Sequence, residues 1–190
     1  VRPGMIPPVA RRFVAGESEL SVLAHARELN DRGIGAICNR LGEHYDDPDE
    51  AEADARDYRR LLAEFEARGL RACVSAKPTQ LGLLVSASTF RENVARVLEA
   101  AADHDGFVWL DMEGPETTEA TLSAFEAVSG AYPGRLGVCL QANLARTEAD
   151  VERLADVPGK VRLVKGAYDP PEGAGVQGRP AVDDAFEARI

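Results

Sequence analysis

The sequence predicts an α/β fold, a (βα)8 barrel of the TIM type, with this chain supplying roughly the first five βα units. Three observations predict it. Short apolar runs alternate with stretches of helical periodicity. The alternation is even, at roughly one strand per 25–35 residues, close to the length of a βαβ unit. Polar side chains recur on one face of successive runs, near their C-terminal ends.

The apolar runs are GIGAICNRLG at 33–42, LRACVSAKP at 70–78, GFVWLDMEG at 106–114, RLGVCLQAN at 135–143 and KVRLVKGAY at 160–168. Gly, Pro or Asn bounds each, and large or β-branched residues fill them, as in buried strands. Helices fall between. Ser18 is placed to cap one carrying Leu20, Leu23 and Ala24, which Gly33 closes. Tyr58, Leu61, Leu62 and Phe65 follow the i, i+3, i+4, i+7 pattern and stop at Gly69. Thr89-Phe90-Arg91-Glu92 reads as a capping box before Phe90, Val94, Val97, Leu98 and Ala101. Thr118 is expected to open a helix with Leu122, Phe125 and Val128. Thr147 is expected to open the next, with Val151, Leu154 and Ala155, and a last helix is expected near Val182.

Side chains alternate between the faces of a strand. Cys73, Ser75 and Lys77 therefore oppose Ala72, Val74 and Ala76, and Trp109, Asp111 and Glu113 oppose Val108, Leu110 and Met112. Cys139 and Gln141 oppose Val138 and Leu140, while Arg162 and Val164 oppose Val161 and Leu163. A doubly wound sheet buries both faces under helices and does not tolerate such polarity. A barrel packs its outside on helices and opens the C-terminal end of its inside to ligand. Lys77, Asp111, Gln141 and Arg162 are expected to converge there. Buried charges need partners, which makes Lys77–Asp111 an expected pair.

Composition narrows the class. The chain has 190 residues with 22 basic and 32 acidic, a net charge of −10, which argues against a nucleic-acid binder. No apolar run approaches the roughly 18 residues of a membrane span. The opening VRPGMIPP lacks a signal-peptide layout, and Cys38, Cys73 and Cys139 are too scattered for a disulfide framework or zinc cluster. The expectation is a cytoplasmic protein, with peripheral membrane contact left open. Only Lys77, Lys160 and Lys165 are lysines, which is compatible with a high-salt cytoplasm or with a GC-rich genome.

RACVSAKPTQLG at 71–82, LDMEG at 110–114, LGVCLQANLARTE at 136–148 and VRLVKGAYDPPE at 161–172 together resemble the proline dehydrogenases. RRFVAGES at 11–18 and LGEH at 41–44 add to the likeness, which is nearest the single-function prokaryotic branch and runs from about Arg11 to the C-terminus. The resemblance implies a (βα)8 barrel that binds FAD and oxidises L-proline to Δ1-pyrroline-5-carboxylate. It also implies electron transfer to a quinone or another acceptor, and handover of product to a pyrroline-5-carboxylate dehydrogenase. By motif, Asp111 and Arg162 correspond to active-site residues, Arg162 lying beside flavin N5. Met112, Gln141, Lys165, Gly166 and Ala167 line FAD, Lys77 contacts the substrate carboxylate, and Tyr168 lies near the proline ring. A permanently charged guanidinium suits the electron sink of a flavin, and a Gly-Ala step lets backbone approach a cofactor closely.

The chain departs from that family in three places. Asn143 stands where an aromatic is usual, and Pro115-Glu116-Thr117-Thr118 follows LDMEG. The family barrel has three further strands and a helix bearing two substrate-clamping arginines, so this chain is expected to be a partial barrel domain over 1–190. Two other readings stay open: an inactive barrel fragment or binding paralogue, and a Schiff-base barrel enzyme using Lys77 or Lys165.

Several patterns are expected to be incidental. Gly173–Gly178 matches G-x-G-x-x-G but does not directly follow a strand. The acids at 46–52 lack EF-hand spacing and suit a helix N-terminus. His25, His44 and His104 are scattered, and Ser86–Thr89 has no histidine placed to activate it.

Overall fold

The structure is a computed structural model and describes residues 14–190. The leading VRPGMIPP segment and the Arg11-Arg12-Phe13 part of the RRFVAGES string lie outside the described residues. Helices and strands alternate as α1 (Glu19–Asp31), β1 (Ala36–Cys38), α2 (Pro48–Ala67), β2 (Ala72–Ala76), α3 (Ala87–Asp103) and β3 (Val108–Leu110). They continue as α4 (Pro115–Ser129), β4 (Leu136–Gln141), α5 (Thr147–Leu154), β5 (Lys160–Val164) and α6 (Arg179–Glu187).

All neighbouring strands pair in parallel, and their spatial order is β1-β2-β3-β4-β5. A doubly wound sheet reverses its order at a switch point; this one never does, as in an arc of a barrel. The arc is curled. Arg162 Nη2 of β5 reaches Ser75 Oγ of β2 at 3.5 Å. Three strand steps on a flat sheet would span about 14 Å. Gly137 assists the packing inside this curl: it pairs with Trp109 in register, and a Cβ there would enter the indole ring.

The outer face carries the core. Val74, Val108, Leu110, Leu136 and Val138 pack with Tyr58, Leu62 and Phe65 of α2, Phe90 and Val94 of α3, and Leu122 and Phe125 of α4. β5 differs from expectation here. Val161 is 45% exposed, because β5 is the sheet edge and α6 buries none of its residues.

The helix starts also differ. α3 is capped by Ser86, whose Oγ accepts from Thr89 N at 3.0 Å, so Thr89 lies inside the first turn rather than at the cap. α4 begins at Pro115 behind Gly114, not at Thr118, since proline's preset φ suits a first helical position. α5 does start at Thr147, but that hydroxyl donates to Gln141 O at 2.5 Å and no side chain caps the helix. α6 starts at Arg179, ahead of Val182.

Asp47 caps α2 by accepting from Asp49 N at 2.9 Å, and among the described residues no acidic, His or Cys cluster could hold a metal. The Gly173–Gly178 string forms a loop between β5 and α6, well after the end of β5.

Candidate functional site

Lys77, Asp111, Gln141 and Lys165 stand at or just beyond the C-terminal ends of β2, β3, β4 and β5, and Arg162 projects from within β5. Active sites of parallel barrels form at that end, where loops can open the interior. The clearest unit is Asp111 with Arg162. Arg162 Nη2 donates to Asp111 Oδ1 at 2.5 Å, and each side chain keeps about a quarter of its surface exposed, 28% and 27%. The guanidinium also lies 4.9 Å from the Trp109 ring centre, close enough for a cation–π contact.

Cys139 completes the clamp. Its sulfur accepts from Arg162 Nε at 3.0 Å and Nη2 at 2.8 Å, and its thiol faces Asp111 Oδ1 at 3.4 Å. Burial and the nearby Asp111 carboxylate push that thiol up to about 12, so it stays a neutral bridge rather than a nucleophile. Cys139 and Trp109 share a strand face with the expected site residues, and Cys139 also lies within the LGVCLQANLARTE string, which were the available signals.

The expected Lys77–Asp111 pair does not form. Lys77 Nζ instead pairs with Glu43, on the loop between β1 and α2, while Asp111 is taken by Arg162. Glu43 lies below the usual carboxylate range, chiefly through its hydrogen bond to Lys77. Burial alone would lower the Lys77 pKa, but Glu43, Tyr168 and Glu113 outweigh it and the net displacement is upward. A Schiff-base lysine needs the opposite displacement. Lys165 is no better suited, being exposed and paired with Asp183 at 2.5 Å.

Beneath the site lies a buried polar lattice. Glu113 is 2% exposed, and its carboxylate accepts from Thr79 N at 2.8 Å and Thr79 Oγ1 at 2.7 Å. Gln141 Nε2 donates to Glu113 O at 2.8 Å, and Gln141 Oε1 accepts from Ala167 N at 3.2 Å. On the other side His44 N donates to Thr79 Oγ1 at 2.8 Å. The loops following β1, β2, β3 and β5 are thus pinned to one another through Thr79, Glu113 and Gln141. Each end of Gln141 retains one further hydrogen-bonding position. Met112 turns away from Asp111 into the core cluster.

The loop after β5 presents bare backbone. Gly166 has φ +112°, a region that side chains rarely adopt, and Lys165 and Ala167 flank it exposed. Exposed backbone with an adjacent cation suits a flat anionic ligand.

The sequence model of the family described as proline dehydrogenase matches residues 22–179. This chain belongs to the proline dehydrogenase family. It is 30% identical over 181 residues to proline dehydrogenase 1 of Bacillus subtilis, covering 95% of this chain and 60% of that protein. To the proline dehydrogenase of Deinococcus radiodurans it is 31% identical over 186 residues, covering 96% of this chain and 60% of that protein. The chain thus spans about 60% of the length of these relatives. Among solved structures, proline utilization A of Bdellovibrio bacteriovorus, inactivated by N-propargylglycine, superposes with a TM-score of 0.82 at 21% identity. That match covers 94% of this chain and 23% of the larger one, and it supports the barrel-type fold. Among the described residues no helix is long and apolar enough to cross a membrane.

Proposed function

We propose that this proline dehydrogenase family chain carries the flavin-side half of a site that oxidises L-proline to Δ1-pyrroline-5-carboxylate. The observation that carries the reading is the Asp111–Arg162 pair at the C-terminal end of the sheet, with the Arg162 guanidinium over Trp109. FAD is the proposed cofactor, and the residues present fit it. Lys165 and Ala167 present exposed backbone on either side of Gly166, Gln141 keeps a free position at each end of its amide, and exposed Lys165 can turn from Asp183 to an anionic group. FAD, when bound, supplies the two-electron acceptor that takes hydride from the ring carbon next to the substrate nitrogen.

The chain's own groups prepare that transfer. Lys77 binds the proline carboxylate, which requires its ammonium to exchange Glu43 for the substrate. Asp111 orients the ring amine, which must give up a proton before hydride can leave. Arg162, always protonated, offsets negative charge that builds on the cofactor side. Its Trp109 and Cys139 contacts hold it in place without neutralising it. Gln141 and the Lys165-Gly166-Ala167 step line the cofactor, Met112 being packed into the core rather than against it, and Tyr168 closes on the substrate ring.

The proposal extends to the surroundings of the reaction. Electrons pass on to a quinone or another acceptor, and the product goes to a pyrroline-5-carboxylate dehydrogenase. The setting is cytoplasmic, and the chain forms one barrel domain of which it supplies the first five βα units. The test is a visible spectrum of the purified protein titrated with FAD. Flavin bands that bleach on adding L-proline are expected; a protein that takes up no flavin, or whose flavin ignores proline, sinks the reading.

A further inference from the structure

One residue near the proposed site has no part in the reaction above yet meets the loop that follows β5 at several points. Asn143 is 4% exposed and lies just beyond the end of β4. Its Nδ2 donates to Tyr168 O at 2.9 Å. That acceptor fixes the amide's orientation, since the flipped form would set two oxygens against each other. Its main chain adds two bonds: Asn143 N donates to Lys165 O at 3.0 Å, and Asn143 O accepts from Val176 N at 2.8 Å.

Two glycines make room for it. A Cβ at Gly166 would overlap the Asn143 side-chain amide, and a Cβ at Gly175 would overlap the Asn143 carbonyl. Gly175 belongs to the G-x-G-x-x-G string, and it forms an isolated antiparallel bridge with Leu144. That glycine is therefore explained by close approach to Asn143 rather than by a nucleotide phosphate. Asn143 Oδ1, by contrast, is buried with no hydrogen-bond partner. The amide is held for its Nδ2 contact and its volume, at the expense of an unpaired oxygen.

We propose that Asn143 is the positioning residue of the Lys165–Tyr168 loop: its amide fills the space left by the absent Gly166 side chain and holds Tyr168. Through that loop it sets the placing of the backbone that faces the cofactor and of the Tyr168 ring. The link to FAD rests on the function proposed above; the link between Asn143 and the loop does not.

Hydrogen exchange on the cofactor-free protein tests the second link directly. In Asn143→Ala the amide of Ala167 should exchange about tenfold faster, while that of Leu110 in β3 stays unchanged. Unchanged exchange at Ala167 overturns the proposal, and so does equal acceleration at Leu110, which would mean a general loss of stability. A double-mutant cycle adds a second readout. Gly166→Ala pays the strain of a positive φ in either background, so that cost cancels and only the contact with Asn143 remains. Gly166→Ala should lower the melting temperature clearly more in the native background than in Asn143→Ala; equal losses overturn the proposal. An FAD titration of the same variants then reads the first link. Asn143→Ala should weaken FAD binding about tenfold if the loop positions the cofactor. If no variant, nor the native protein, binds FAD, the function proposed above fails while the exchange result still decides this one.

Discussion

Arg162 Nη2 and Asp111 Oδ1 meet at 2.5 Å across the intervening strand β4, and Cys139 of that strand touches both. The pair spans the curl of the sheet, so it ties curvature to chemistry. Removing Asp111 leaves a cation half-buried over Trp109 with its charged partner gone. Asp111→Ala is expected to cost about 1–2 kcal/mol of stability, below the range for fully buried pairs because both groups are partly exposed. Proline-dependent bleaching should fall by about 100-fold or more. Chemical denaturation and stopped-flow absorbance measure the two effects, and near-native turnover would remove Asp111 from the mechanism.

The thiols should be slow to react. Burial pushes Cys38 up to about 11 and Cys139 up to about 12. At pH 8 little thiolate is present at either, so iodoacetamide should label the native protein slowly and Cys139 slowest of all. Mass spectrometry of timed aliquots reads the order; rapid labelling at Cys139 would contradict the buried clamp.

Tyr58 hides a hydroxyl under the site. It accepts from Arg40 N at 3.1 Å and faces Ser75 O at 3.1 Å and Gln80 Oε1 at 3.0 Å. Tyr58→Phe leaves these groups short of a partner in the interior, and a loss of about 1–3 kcal/mol is expected in urea denaturation. A change within a few tenths of that unit would mean water or rearrangement replaces the hydroxyl.

Gly137 is a packing requirement rather than a turn. A methyl there would enter the Trp109 ring, and Gly137→Ala should destabilise by about 1–3 kcal/mol through overpacking. Tryptophan fluorescence should shift as the indole is displaced. An unshifted spectrum with native stability would refute the contact.

The Glu43–Lys77 pair has a definite pH window. Glu43 is depressed below 4.5, so its contribution is present above the unfolded carboxylate pKa and is lost as pH falls through the folded value. Lys77 is raised above 10.5, so its contribution is full below the unfolded lysine pKa and is lost as pH rises through the folded value. Glu43→Gln should therefore reduce stability between those limits and match the native protein in strong acid. The difference should stay under about 1 kcal/mol because both groups are partly exposed. Paired acid titrations followed by circular dichroism would show it.

Much of the site was legible from local pattern. Alternation in the strands put Lys77, Asp111, Gln141 and Arg162 on one face, and motif alone pointed to the Lys165–Tyr168 stretch. The partners were less legible. Lys77 was expected to pair with Asp111, yet Glu43 on a loop 34 residues away takes it. Which of two nearby carboxylates meets a lysine depends on loop path and sheet curl, and neither has a local sequence signature. Thr89 and Thr118 looked like caps because their residue types suit that role, but Ser86 and Gly114 stand where the chain leaves its extended conformation.

The sequence by itself determined the order of strands and helices, the apolar and polar faces, and the family, because periodicity and motif are local properties of a chain. Only the tertiary structure decided that Arg162 is held by Asp111, Cys139 and Trp109 together. It likewise decided that Asn143 fills the space over Gly166, and that Thr79, Glu113 and Gln141 lace the loops together. Those contacts join residues far apart in the chain, and they exist only once parallel pairing and sheet curvature bring the C-terminal strand ends to one place.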